Sequence, residues 1–371
     1  MSKFIISGGG TGGHVYPAIA IAQAIRSRDP GADILFIGAL GKLEMEKVPA
    51  AGFPIQGLPV AGFIRRATWR NLTFPFKLMR SLQLARKVIK QFDPDVVIGV
   101  GGYASGPTLR VATSIGIPAL IQEQNSFPGV TNRLLGRRVR RICVAYPGMD
   151  RYFPAEKVIM TGNPVRTDLV SLDDHLPEAY MHFGLDPSKK TLLVMGGSGG
   201  AKTINDSILA SLDQGLPEDV QLLWQTGRYY YEEVIRKLSD AGYLEPCILP
   251  FIDRMDLAYS CADLVVSRAG AIAISELCLV GKPVILVPSP NVADDHQTKN
   301  ARNLEEQRAA VMVSDKEANA VLPGMVTEMM QNGTTREQLG NQIRKLAIPD
   351  AANRIAEEAF KLVEIKTDRH G

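Results

Sequence analysis

A strand, a glycine loop and a helix opening occur twice in this chain, and that repeat limits the folds open to it. The first copy runs through Lys3–Ser7, a short apolar strand, into Gly8-Gly9-Gly10-Thr11-Gly12-Gly13-His14. Pro17 is expected to open a helix from there to about Arg28. The second copy runs through 191–195 into Gly196-Gly197-Ser198-Gly199-Gly200-Ala201. Glycine after a buried strand lets backbone approach a ligand closely. Proline in a first helical turn loses no bond, because that N–H has no intrahelical partner. Apolar runs at 33–37, 54–58, 96–99, 119–122 and 142–145 alternate with helical patterns and predict a doubly wound parallel sheet. Two glycine loops so far apart predict an α/β protein of two Rossmann-like domains, each turning its loop to a shared central cleft. At 371 residues the chain is also too long for one comfortable core. The expected division is 1–162 and 163–349, crossing at Thr161-Gly162-Asn163-Pro164-Val165-Arg166. An amphipathic helix over about 350–371 is expected to pack back on the first domain.

A glycine loop by itself suggests a dinucleotide. Such a site wants an acid at the end of the next strand, about twenty residues on, to hold the ribose. The run at 33–37 ends in Gly38-Ala39 and the run at 221–226 ends in Gly227, so NAD is disfavoured in both halves. Ligands in open parallel sheets sit beyond the carboxyl ends of strands. In the first half that rule picks out 8–14, 101–107 and Glu123-Gln124-Asn125. Glu123 and Asn125 at a strand end predict a polar cleft, with capping of a helix near Pro128 as the structural alternative.

The stretch 263–301 reads as strand, small-residue turn, helix, strand, proline-rich loop and helix. Ser267-Arg268-Ala269-Gly270 opens a helix carrying Ile272, Ile274, Leu277 and Leu279, and Gly281-Lys282-Pro283 ends it. A helix opened by small residues offers backbone N–H groups and the positive end of its dipole to a phosphate. Glu276, about a turn further in, can accept two hydrogen bonds from a ribose diol; otherwise it is a solvated helix residue. Phe251 and Ile252 flank a base or belong to the core. His296, Gln297 and Asn300 fall on the first turns of the last helix.

Composition narrows the partners. With 45% hydrophobic and 22% charged residues the chain is expected to be soluble and globular. A net charge of +3 gives no reason to invoke nucleic acid. No apolar run approaches the ~18 residues of a membrane span, and no signal-peptide pattern follows Met1. Cys143, Cys247, Cys261 and Cys278 lie far apart without a C-x-x-C pair, which predicts buried free thiols in a reducing compartment. No D-x-D or His/Cys cluster suits a divalent metal. Charge is uneven, however: 47–92 holds no acid, and 62–80 interleaves Phe63, Ile64, Trp69, Phe74, Phe76 and Met79 with Arg65, Arg66, Arg70, Lys77 and Arg80. Such a stretch predicts contact with an anionic phospholipid surface.

GGGTGGHVYPA at 8–18, EQN at 123–125, GNPVR at 162–166, GGSGGA at 196–201 and D-x-x-Q-x-x-N-A at 294–301 span nearly the whole chain. Jointly they resemble the bacterial peptidoglycan glycosyltransferases of the GT-B type that add N-acetylglucosamine to lipid I. The resemblance implies UDP-N-acetylglucosamine as donor, lipid I as acceptor, and a peripheral place on the cytoplasmic face of the cell membrane. It implies that Ile252 reads uracil through its backbone and that Glu276 holds the ribose. Ala271 and Ile272, with Ser198, would take the phosphates, and Gln297 the sugar hydroxyls. Thr11, Gly12, Gly13, Asn125 and Arg166 would close the donor site or face the acceptor. Some members carry glutamine where this chain has His296, whose role stays open. The family expectation is inversion by one direct displacement; from the residues themselves no cofactor and no metal are expected. Helix N-termini and an arginine can stabilise the charge on the departing UDP. The acceptor hydroxyl must lose a proton, and histidine's ordinary pKa of about 6.5 makes His14 the candidate base. Its structural alternative is ordering of the glycine loop. A UDP-N-acetylglucosamine 2-epimerase is the enzymatic runner-up, and a non-catalytic nucleotide-sugar-binding subunit is the other.

Overall fold

The computed structural model describes residues 1–60, 74–165, 169, 175–197, 199–243, 247–292 and 295–367. They divide into two compact units, Met1–Val165 with Pro349–Gly371, and Arg166–Ile348.

In the first unit β1 (Lys3–Ser7), α1 (Gly12–Arg28), β2 (Asp33–Ala39), α2 (Glu44–Ala50), β3 (Ile55–Leu58), α3 (Phe74–Phe92) and β4 (Val96–Gly99) come first. They are followed by α4 (Ser105–Ser114), β5 (Ala119–Glu123), α5 (Val130–Leu135), β6 (Arg141–Val144) and β7 (Val158–Met160). The strands form one parallel sheet in the order β3-β2-β1-β4-β5-β6-β7. Side chains alternate across it, as a period of two requires. Phe4 and Ile6 enter the core shared with Val15, Ile21 and Ile25 of α1, whereas Ile5 enters the opposite core with Ile89, Leu109 and Ile121. The last helix of the chain, α14 (Ala351–Thr367), packs on α1 and closes the first core with Ile355, Ala359 and Leu362.

One local expectation is overturned. The helix α1 begins at Gly12, so Pro17 lies inside it rather than opening it. Thr11 is the N-cap, and its carbonyl accepts the N–H groups of His14 and Val15 at 3.1 Å each. Proline's missing N–H would have met the carbonyl of Gly13, which is exposed and open to water. The consequence is that Gly12, Gly13 and His14 form a helical first turn instead of a loop.

The second unit contains α6 (Leu176–Phe183), β8 (Lys190–Met195), α7 (Lys202–Gln214), β9 (Val220–Gln225), α8 (Tyr231–Asp240), β10 (Cys247–Leu249) and α9 (Met255–Cys261). Then come β11 (Ala262–Ser267), α10 (Ala271–Val280), β12 (Val284–Leu286), α11 (His296–Glu306), β13 (Val311–Met312), α12 (Ala318–Gln331) and α13 (Gly333–Arg344). The parallel sheet runs β10-β9-β8-β11-β12-β13. Leu192 and Val194 face Ile204, Ile208 and Leu322, while Leu193 faces Tyr259, Ile274 and Leu277 on the other side. Strand order reverses between β8 and β11, as it does between β1 and β4 in the first unit. Neighbouring connections leave in opposite directions at such a point and open a crevice beyond the strand ends. The four cysteines are free, and burial pushes the Cys143, Cys261 and Cys278 thiols up to about 12, which keeps them unreactive.

Candidate functional site

A pocket of about 550 Å³ lies within the second unit at its switch point. Its floor is the glycine loop after β8, through Gly196, Gly197, Gly199 and Gly200. One wall is the start of α10, through Gly270, Ala273 and Glu276. Phe251, Ile252, Ser289, Asn291 and Gln297 also line the pocket. The floor sits close to the loop after β9: a Cβ on Gly227, at φ +85°, would overlap the backbone of Gly200. Only glycine allows that approach.

The helix α10 has Gly270 as its N-cap, in extended conformation and without a side-chain cap. Its N-terminal amides and dipole therefore favour an anion at the pocket wall. Ala271 is buried and Ile272 half-buried on that first turn. Glu276 is half-buried, and its Oε2 accepts the Tyr259 hydroxyl at 3.1 Å. Tyr259 comes from α9 and is fully buried, so its ring is held by the core and aims the carboxylate. Gln297 Oε1 accepts the Ser289 N–H at 2.8 Å, tying α11 to the loop after β12. Asn300 is buried one turn later and donates to the Ala269 carbonyl at 3.4 Å. Arg268 also lines the pocket, where its guanidinium donates to Asp315 at 2.5 Å and to the Val287 carbonyl at 3.0 Å.

Ile252 lines the pocket, but its N–H donates to Gln225 Oε1 at 2.9 Å. The backbone donor at this residue is thus engaged inside the protein. Neither Gln225 nor Tyr259 stood out in the sequence, because each acts through a partner distant along the chain.

In the first unit His14 is the third residue of α1. Its Nδ1 lies 3.1 Å from Thr11 Oγ1, and a methyl built on Gly101 would come within 2.8 Å of its Nε2. The imidazole therefore stands between the glycine turn after β1 and the end of β4, at the switch point of the first sheet. Gly12 and Gly13 sit beside it in the turn, half-buried and exposed respectively. The acid missing from the end of β2 is supplied five residues later in another role. Glu44 is buried and accepts the N–H of Gly10 at 2.8 Å and of Ala39 at 2.9 Å. A carboxylate already occupying the glycine-loop amide disfavours a second anion there, which is a physical reason against a dinucleotide in this unit.

The polar cleft expected at Glu123 is corrected. Glu123 is only 1% exposed. Its carboxylate accepts Asn125 N at 3.0 Å, Asn125 Nδ2 at 3.3 Å, Gly129 N at 3.0 Å and Asn132 Nδ2 at 2.9 Å. It organises the loop and caps α5, the structural alternative. Burial raises its pKa above the ordinary value, and those hydrogen bonds oppose the rise. Asn125, half-buried, directs its amide to this carboxylate. Beside it Gln122, Gln124 and Asn163 form a buried network: Gln122 Nε2 donates to Asn163 Oδ1 at 2.9 Å, and Asn163 Nδ2 to the Gln124 carbonyl at 3.0 Å. Arg166 and Ser198 lie outside the described residues, as do Arg65, Arg66 and Arg70. Among the described residues no group of three His, Cys, Asp or Glu side chains is disposed to hold a metal.

With this geometry established, similarity to known proteins identifies the family. The glycosyltransferase family 28 N-terminal domain matches residues 4–144, and the family 28 C-terminal domain matches residues 191–355. A Parabacteroides distasonis protein is 54% identical over 364 residues, covering 98% of this chain and 99% of its own length. It is named UDP-N-acetylglucosamine–N-acetylmuramyl-(pentapeptide) pyrophosphoryl-undecaprenol N-acetylglucosamine transferase. A Flavobacterium psychrophilum protein of the same name is 49% identical, covering 98% of each chain. Among solved structures, Acinetobacter baumannii MurG superposes with a TM-score of 0.78 at 29% identity, over 97% of this chain and 100% of its own. The UDP-GlcNAc 2-epimerase of Neisseria meningitidis reaches 0.69 at 14% identity over 97% and 100%, a likeness of fold alone. The chain therefore belongs to glycosyltransferase family 28, with the MurG-type UDP-N-acetylglucosamine–N-acetylmuramyl-(pentapeptide) pyrophosphoryl-undecaprenol N-acetylglucosamine transferases.

Proposed function

We propose that this chain transfers N-acetylglucosamine from UDP-N-acetylglucosamine to the muramyl 4-hydroxyl of undecaprenyl-pyrophosphoryl-MurNAc-pentapeptide, lipid I, giving lipid II in peptidoglycan synthesis. Besides the kinship, the observation that carries this reading is one helix, α10, which joins an anion-favouring N-terminus to a positioned carboxylate, Glu276, in a single pocket. A ribose diol and a pyrophosphate need that pair. The roles are those that the family resemblance implies. Glu276 accepts the ribose hydroxyls, and the α10 turn at Ala271 and Ile272 faces the phosphates together with Ser198. The backbone at Ile252 meets the uracil, and Gln297 meets the sugar. As UDP departs, negative charge grows on its phosphates, and the fixed amides of α10 stabilise that charge without reorganising. Arg166 adds a cation.

His14 removes the proton from the attacking hydroxyl, which displaces UDP with inversion. Its 3.1 Å contact with Thr11 Oγ1 orients the ring. For Nε2 to act as base, Nδ1 carries the proton and donates to that hydroxyl oxygen. Thr11, Gly12, Gly13 and Asn125 border the acceptor.

The acceptor lies in a bilayer, and no helix among the described residues is long and apolar enough to cross one. We assign the contact to 62–80, which supports a peripheral place on an anionic phospholipid surface at the cytoplasmic face. Of that stretch, Phe76 and Met79 on α3 are described, 77% and 60% exposed beside exposed Lys77 and Arg80. The decisive experiment mixes purified protein, UDP-N-acetylglucosamine and a lipid I analogue in the presence of EDTA. Release of UDP with formation of the disaccharide is the expected result. Epimerisation of UDP-N-acetylglucosamine at C2, or binding without turnover, would replace this reading by an epimerase or a binding subunit.

A further inference from the structure

We infer that Gln225 is a positioning residue that couples the nucleobase end of the donor pocket to its phosphate end. Gln225 is the last residue of β9, in register with Met195 at the end of β8 and Leu249 at the end of β10. From that central place its side chain, 5% exposed, reaches both neighbouring loops. Oε1 accepts the Ile252 N–H at 2.9 Å, and Nε2 donates to the Gly197 carbonyl at 3.1 Å. Because one partner is a donor and the other an acceptor, the amide has a single satisfied orientation. The same Gly197 carbonyl accepts the Gly200 N–H at 2.9 Å, so Gln225 completes the turn that forms the pocket floor.

The coupling follows from this geometry and rests on the reading of the pocket as a uridine diphosphate site. A pyrimidine carbonyl that binds the Ile252 N–H must share that proton with Gln225 or displace Oε1. Either change moves the amide, and Nε2 carries the movement to Gly197 and the loop that faces the phosphates. Base and pyrophosphate then do not bind independently. A buried side chain with both polar ends engaged transmits such a change, where a solvated one would exchange its partners for water.

Calorimetry with UMP and UDP tests this on the full chain. Gln225→Glu keeps an acceptor for Ile252 but loses the donor to Gly197, and its charge repels that carbonyl. At about pH 8 its preference for UDP over UMP should fall about tenfold to a hundredfold, with UMP affinity nearly kept. Lowering the pH to about 6 should restore much of the preference relative to wild type, since a buried carboxyl protonates readily and then donates again. In turnover, KM for the nucleotide sugar should rise while kcat holds. Gln225→Met, similar in length without hydrogen bonds, should lose the preference at every pH. Retained preference in both variants overturns the coupling. So does parallel loss of UMP and UDP affinity with a lowered melting temperature and no recovery in acid, which is the outcome of a purely structural role. Wild type failing to bind UDP would instead remove the donor-site reading itself.

Discussion

Replacing Glu276 by alanine removes the carboxylate that the buried Tyr259 hydroxyl holds at 3.1 Å in the pocket wall. A hydrogen bond to a charged group contributes about 1.5–3 kcal/mol, and at about 1.4 kcal/mol per decade its loss weakens UDP binding roughly 10- to 150-fold. Glu276→Gln keeps an acceptor oxygen without the charge, and should fall between wild type and alanine. Tyr259→Phe leaves the ring in the core but removes this hydrogen bond to the carboxylate, so affinity should fall severalfold while the melting temperature shifts only slightly. The assay is calorimetric titration with UDP and with its 2′,3′-dideoxy analogue. Wild type should prefer UDP, and Glu276→Ala should bind the two nearly alike, because the contact that separates them is gone. If the alanine variant still discriminates against the dideoxy analogue, another group reads the ribose and the reasoning from α10 fails.

Three further outcomes are expected. His14→Ala should lower kcat about 10²- to 10⁴-fold with donor affinity kept; donor affinity falling in step with activity would mark His14 as an organiser of the glycine turn. Glu123, whose burial holds its pKa above the ordinary 4.5, favours the folded state most when protonated. Its contribution to stability is therefore complete below that ordinary value and is lost as pH rises through the folded one, a slope that urea titrations should find in wild type and not in Glu123→Gln. Phe76→Ser with Met79→Ser should weaken sedimentation with anionic vesicles and leave turnover on a short-chain acceptor unchanged, because both side chains are exposed and carry little of the core; unchanged vesicle binding would place the contact elsewhere.

The strands and the glycine loops were legible along the chain. Parallel strands buried on both faces read as continuous apolar runs, and β4 occupies the predicted 96–99. The glycine loops likewise revealed the strand ends, since few other residues allow such close backbone approach. Short elements were harder. The helix α9 has 7 residues and β13 has 2, too few for any period to show. The start of α1 was misplaced because Pro17 is a strong local signal, whereas the cap at Thr11 depends on where Gly12 and Gly13 are held.

Partnership was decided by tertiary structure alone. Glu44 on a glycine-loop amide, Glu123 facing inward, Gln225 between two loops and Tyr259 beneath Glu276 are ordinary residues in the sequence. Glu44 reaches Gly10, 34 residues away, and Gln225 reaches Gly197 and Ile252, 28 and 27 residues away, because the strand order of the two parallel sheets sets their loops side by side. Local propensity carries no record of that order. It arises from which sheet edges and helix faces bury the most apolar surface together, a property of the whole chain. Residue types and spacings therefore marked where a nucleotide-sugar site would form. The hydrogen bonds that aim its carboxylate and engage the Ile252 amide came from long-range packing.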